Sequence, residues 1–167
     1  MNAKLRLPAI DPATVEPKSG SNYPEPFKPR VAGRAKQRIG DALGLKNFGV
    51  NLTTIKPGSA SALRHWHSLE DEFIYVLRGE LVLVTDAGEQ LLTAGTVAGF
   101  PAGHADAHCL VNRTTVDAVY LEVGDRAQGD AVTYPDDDLA CKTVAGSRTF
   151  THKDGTPYLG VLAAPGP

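Results

Sequence analysis

Cysteine is scarce in this 167-residue chain. Only Cys109 and Cys141 are present, without a CxxC pair or dense spacing, which excludes a cysteine zinc knuckle and a disulfide scaffold and fits a reducing compartment. Aromatic residues make up only 7% of the chain, and Trp66 is the single tryptophan. Long apolar runs are missing too. No window approaches the roughly 18 consecutive apolar residues of a membrane span. The first twenty residues lack the apolar stretch of roughly 7–15 residues that a secretory signal carries. A cytoplasmic protein with no membrane partner is therefore expected. Charge of one sign is also missing: the net value of -2 excludes a generally basic nucleic-acid coat. There is no internal repeat and no low-complexity tract.

What is present is an ordinary globular balance, 42% hydrophobic and 22% charged, at a length that fits one domain. The 17 Gly and 12 Pro favour short strands joined by turns over a helical bundle. Six of the prolines lie in the first 30 residues, so the N-terminus reads as an extended arm. Up to Arg38 the chain has eight basic residues against three acids (Asp11, Glu16, Glu25), and beyond it nine against sixteen. No basic run or interleaved aromatics point to nucleic acid. The arm is expected to dock on an acidic barrel, its own or a partner's, and a homodimer is expected.

The boundaries expected are an arm over 1–45, a barrel core over 46–124, and a C-terminal strand and tail over 125–167. Ala35, Ile39, Ala42 and Leu43 permit a short helix or turn. Phe48–Lys56, Phe73–Arg78, Glu80–Thr85, Glu89–Leu92, Thr96–Phe100, His108–Asn112 and Val116–Val123 then read as short strands punctuated by Gly-containing turns. This spacing predicts an all-β, antiparallel barrel or two-sheet jelly roll. In the tail, Ala131–Tyr134 reads as one more strand, followed by an acidic turn at Asp136-Asp137-Asp138 and a polar close.

Four of the five histidines, His65, His67, His104 and His108, fall within 44 residues. On a strand, His65 and His67 at i, i+2 point to one face. A carboxylate past the next bend can return to the same cavity, and His108 on a neighbouring strand is a candidate fourth donor. Three neutral imidazoles and one carboxylate suit Zn, Fe, Mn, Ni, Co or Cu and leave coordination positions for substrate. A lone HxH is more often surface polarity or a satisfied core pair.

The surrounding residues resemble the cupin superfamily. Gly58, six residues, His65-Trp66-His67, four residues, Glu72, six residues and Gly79 follow the first cupin motif, with one extra residue in the first spacer. Gly95, five residues, Pro101-Ala102-Gly103, then His108, three residues and Asn112 follow the second. There the step from Gly103 to His108 is two residues longer than the motif, which puts Asp106 at the nominal histidine position. His108 is preferred because Leu110-Val111 and Asn112 anchor it to the next strand. The inter-motif stretch Glu80–Ala94 has the length of one hairpin. The Gly49–Gly58 lead-in, the His65–Glu80 core and the His152–Tyr158 tail are similar to small single-domain bacterial cupins, which carry labels such as sugar-phosphate isomerase-like.

The resemblance implies a double-stranded β-helix fold and one divalent transition metal per chain, held by His65, His67, Glu72 and His108. It implies a metal-dependent enzyme of isomerase, dioxygenase, decarboxylase or lyase type acting on a small polar metabolite. The alternative is a metal-containing binding or sensor protein for a sugar-like ligand. Candidate catalytic groups are His104, in an enlarged loop with Asp106, and Tyr75, whose phenol could reach the cavity. Glu70 and Asp71 read as a solvated turn, and Trp66 as packing on the far side of its strand. Arg64, Arg78 and Arg113 read as surface charge, Cys109 as a small buried group, and His152 as part of a turn that docks the C-terminus.

Overall fold

The computed structural model describes residues 5–144 and 147–158. Among the described residues thirteen strands run in chain order: β1 (Lys18–Ser19), β2 (Arg34–Gln37), β3 (Phe48–Ile55), β4 (Trp66–His67), β5 (Glu72–Arg78), β6 (Glu80–Thr85), β7 (Gly88–Thr93), β8 (Val97–Phe100), β9 (Cys109–Val111), β10 (Ala118–Asp125), β11 (Ala131–Tyr134), β12 (Leu139–Val144) and β13 (Ser147–Thr151). Among the described residues one short α-helix, α1 (Ile39–Ala42), and two 3-10 helices, Pro12–Thr14 and Glu25–Val31, precede β3. Every strand pairing is antiparallel. One wall is a six-stranded sheet in the order β1-β2-β3-β10-β5-β8. The other wall consists of a four-stranded sheet, β13-β12-β11-β4, and a three-stranded sheet, β7-β6-β9.

The segment that leads into β4 joins the β9 segment at two bridges, Ala60–Val111 and His65–His108. The His65 N–H donates to the His108 carbonyl (3.1 Å) and the His108 N–H to the His65 carbonyl (2.8 Å). The jelly roll is therefore seamed through two of the candidate metal ligands.

Alternation on β5 and β10 sets the interior. Ile74 and Val76 on β5 and Ala118 and Tyr120 on β10 are buried, and with Ile55, Leu81, Leu83 and Leu110 they form one core. Each such aliphatic side chain contributes roughly 1.5–3 kcal/mol on leaving water. A second core joins Leu63, Val132, Tyr134, Leu139 and Phe150 to Tyr23 and Val31 of the N-terminal segment.

The arm thus docks on its own barrel. β2 pairs with β3, Lys36 bonds Glu122 at 2.6 Å and Arg30 bonds Asp137 at 2.6 Å. β2 is part of the sheet although it lies in the segment read as arm. The tail also differs from expectation: after the acidic turn it continues as the β12–β13 hairpin. Here Cys141 and Phe150 supply an apolar face within a largely polar sequence. Among the described residues no helix is long and apolar enough to cross a membrane.

Candidate metal centre

β4 and the residue before it bring His65 and His67 inward, β9 begins just after His108, and β5 opens with Glu72 on the opposite wall. The three imidazoles converge on one carboxylate oxygen. Glu72 Oε2 lies 3.1 Å from His108 Nε2, 3.5 Å from His65 Nε2 and 3.7 Å from His67 Nε2. That oxygen is buried yet has no partner in hydrogen-bond geometry. Burial raises the Glu72 carboxyl, but the surrounding imidazoles outweigh it and hold the group well below its ordinary range.

Two of the three remaining ring nitrogens are tied from behind, while His108 Nδ1 is buried without a partner. His65 Nδ1 lies 2.8 Å from the Leu63 carbonyl and His67 Nδ1 lies 2.7 Å from Asp130 Oδ2. An Nδ1–H donated to these acceptors leaves Nε2 with a free lone pair aimed at Glu72. His108 is held differently, its ring stacked flat on Phe100 with centroids 3.4 Å apart. Burial lowers its pKa, which keeps it neutral as a ligand must be. An unpartnered carboxylate oxygen facing three imidazole Nε2 atoms fits a divalent transition metal, and His65, His67 and Glu72 in particular are close enough together to share one ion. His67, Glu70 and Asp130 form a second close group behind this one. Asp130 is already committed there, since it also accepts from Ser68 Oγ (3.2 Å) and the Leu69 N–H (2.9 Å).

Two cavities open on the cluster, and His67, Glu72, Phe100 and His108 line both. The outer one, about 240 Å³, is bounded by Trp66, Pro101, His104 and Asp106. The inner one, about 110 Å³, runs into the barrel between the two walls. The loop at the mouth is stitched to the first motif: the Ala102 N–H donates to Asp71 (2.7 Å) and the Gly103 N–H to the His67 carbonyl (2.8 Å).

Several expectations are corrected. Tyr75 is on the outer face of β5, because inward positions there are even-numbered and Glu72 and Tyr75 are three residues apart. Its phenol is no candidate for the cavity. Glu70 is not solvated; it is buried, accepts the Ala127 N–H at 3.0 Å and lies 3.5 Å from His67 Nδ1. Trp66 lines the outer cavity rather than packing behind the strand, since β4 is too short to impose regular alternation. Asp106 is partly used in holding the β6–β7 turn, accepting the Asp86 N–H at 2.8 Å. His104 stands at the mouth. Arg64 pairs with Asp86 and Asp136, and Arg113 with Glu89, away from the cluster. Cys109 is buried, and His152 bonds Asp138 at 2.7 Å and stacks on Tyr158, as a docked turn would. Asp130, Arg34, Lys36, Glu122 and Arg148 were missed. Only Glu122 had a signal, a charged residue in phase with inward Ala118 and Tyr120.

A closed antiparallel jelly roll with a three-histidine, one-carboxylate cluster between its walls defines a class of small β-barrels that gather ligand-type side chains at their centre. Comparison places the chain within it. The Cupin domain family model matches residues 51–124. A cupin-superfamily sugar phosphate isomerase from Silicibacter pomeroyi is 42% identical over 94% of this chain and 100% of its own, with a TM-score of 0.87. A protein provisionally assigned the same activity, from Acidithiobacillus ferrooxidans, is 32% identical over 75% of this chain and 80% of its own, with a TM-score of 0.68. A Thermotoga maritima protein, described as a predicted oxalate decarboxylase, shares the fold at 22% identity over 71% of this chain and 99% of its own, TM-score 0.57. No curated protein matches the chain. The chain belongs to the cupin superfamily.

Proposed function

We propose that the protein is a metal-dependent cupin enzyme acting on a small polar metabolite. One observation carries this reading: the buried, unpartnered Glu72 Oε2 within 3.7 Å of three imidazole nitrogens, at the junction of two cavities. His65, His67, Glu72 and His108 would hold the ion. A divalent metal there supplies Lewis acidity toward a bound substrate oxygen or water. The chain's own residues do the rest. Asp130 and the Leu63 carbonyl fix the orientation and tautomer of His67 and His65, and Phe100 holds the His108 ring in plane. Trp66 and Pro101 shield the mouth, and His104 is placed there to exchange a proton with a substrate atom. Sugar phosphate isomerisation, the activity named for the Silicibacter protein, is one reaction of this type.

Elemental analysis of protein purified without a metal-affinity tag tests the reading. About one equivalent of transition metal per chain is expected, with His67→Ala losing it. Full metal retention by His67→Ala overturns the assignment. His104→Gln should keep its metal and lose turnover.

The homodimer is supported by an apolar stripe on the outer face of the six-stranded sheet. Phe73, Tyr75, Leu77 and Val97 are exposed there, and Tyr75 sits between Val97 and Leu121 in register. Sedimentation of Tyr75→Glu should show a monomer where the unmodified chain is a dimer.

A further inference from the structure

The inner cavity has a charge pattern that metal binding does not explain. Three cationic side chains reach it, Arg34 and Lys36 from β2 and Arg148 from β13, together with Glu122, Tyr23 and Tyr134. Lys36 is spoken for. It donates to Glu122 Oε1 at 2.6 Å, and Glu122 is completed by Asn51 Nδ2 (3.0 Å) and the Tyr120 hydroxyl (3.0 Å). That network is neutral and satisfied.

The two arginines are not. Arg34 donates to the Ser61 and Gly20 carbonyls and pairs with no carboxylate, and Arg148 pairs with none among the described residues. Arg34 is half-buried and Arg148 exposed, and a guanidinium at a cavity wall with no carboxylate bonded to it is free to take one from a ligand. Its planar fork matches the oxygens of a carboxylate or phosphate. Burial raises the phenols of Tyr23 and Tyr134, so both stay protonated and available as neutral donors. The same cavity is also lined by His65, Glu72 and His108. The volume, about 110 Å³, holds several water-sized groups and excludes a nucleotide.

We propose that the inner cavity anchors the substrate by an oxyanion. A carboxylate or phosphate group of a compact metabolite sits against Arg34 and Arg148, and the remainder of the molecule faces the His–Glu cluster. This rests on the metal-dependent reading of the same site and adds the substrate class. The anchor is built from the arm and the tail, outside both cupin motifs.

Isothermal titration of the protein as purified, with metal content measured on each sample, tests this. Inorganic phosphate and malonate are the probes, titrated separately. At least one should bind at one site per chain. Arg148→Gln should weaken that binding at least tenfold, Arg34→Gln similarly, and Arg113→Gln, on the outer surface, should leave it unchanged. Arg34 also ties the arm, so Arg148→Gln is the decisive variant. Binding of phosphate alone identifies a phosphate ester, binding of malonate alone a carboxylate, and binding of both a general oxyanion site. Failure of both probes, or wild-type affinity in Arg148→Gln, overturns the proposal. Loss of anion binding in metal-loaded protein sinks the anchor alone; retained anion binding in protein that never held metal sinks the metal reading and leaves the anchor standing.

Discussion

A hydrogen bond to the second ring nitrogen orients a histidine as a ligand, and in this chain His67 is the clearest case. Asp130 holds its Nδ1 at 2.7 Å and is itself locked by Ser68 and the Leu69 N–H. Burial raises the Asp130 carboxyl, but these hydrogen bonds outweigh it and hold the group below its ordinary value, so it stays ionised as an acceptor. Asp130→Asn keeps the size and part of the hydrogen bonding while removing the charge. Metal affinity in the variant should fall about 10- to 100-fold, read by competition with a chromophoric chelator, with the melting profile still cooperative. Unchanged affinity would reduce Asp130 to a structural cap. The cluster residues His65, His67 and Glu72 were legible because strand alternation and motif spacing are local properties. Asp130 was not, because it lies 63 residues from the histidine it serves and no local pattern connects them. Tyr75 lies on the outer face by the same period of two, since the inward positions of β5 are Ile74 and Val76.

At the scale of elements, the strands that bury one face announced themselves. β3, β5, β6 and β10 lie where branched and alternating residues placed them, within two residues at either end. β1, β2, β4, β12 and β13 did not; β1 and β4 are two residues long, and β2 reads Arg-Ala-Lys-Gln and owes its form to pairing with β3. Tertiary pairing there overrides weak local preference. The turn between β5 and β6 shows the opposite case, in which one residue type is demanded. Gly79 sits at φ +77, and a Cβ there would meet the Ala118 Cα at 3.0 Å and the Asp117 carbonyl oxygen at 3.1 Å, both backbone atoms. Gly79→Ala should therefore destabilise the protein by about 1–3 kcal/mol, from the left-handed backbone and the crowding together. Urea denaturation followed by Trp66 fluorescence measures it, and an unchanged midpoint would show that β10 yields at no cost.

For the molecule as a whole, the split between a basic N-terminus and an acidic remainder is resolved inside the barrel. Lys36 and Glu122 pair between β2 and β10. Burial raises the Glu122 carboxyl, and Lys36 more than offsets this, leaving it below its ordinary value of 4.5. With the folded pKa depressed, the unfolded chain binds the proton more readily. The stabilisation is complete above the unfolded value and is lost as pH falls through the folded one. Thermal melting should thus fall on acidification below about pH 4.5, and Glu122→Gln should show a shallower fall. Asp130 and Glu72 contribute with the same sign, so the slope should not vanish. An identical slope in wild type and variant would remove Glu122 from the account.

The same view joins stability to the site. His65, His67 and His108 belong to the seam of the two smaller sheets, and Glu72 belongs to the six-stranded sheet facing them. An ion held by all four would cross-link both walls and the seam, while the unfolded chain offers no such arrangement. Ligand that binds only the folded state adds stability in proportion to the logarithm of one plus its concentration over Kd, about 4 kcal/mol at a thousandfold excess. Chelation should therefore lower the melting temperature by several degrees, and readdition of the metal should restore it. His67→Ala should melt at one temperature whether or not chelator is present. A wild-type melting temperature indifferent to chelation would mean that the seam at His65 and His108 is held by its two backbone hydrogen bonds alone, and that the cluster contributes chemistry without contributing to the fold.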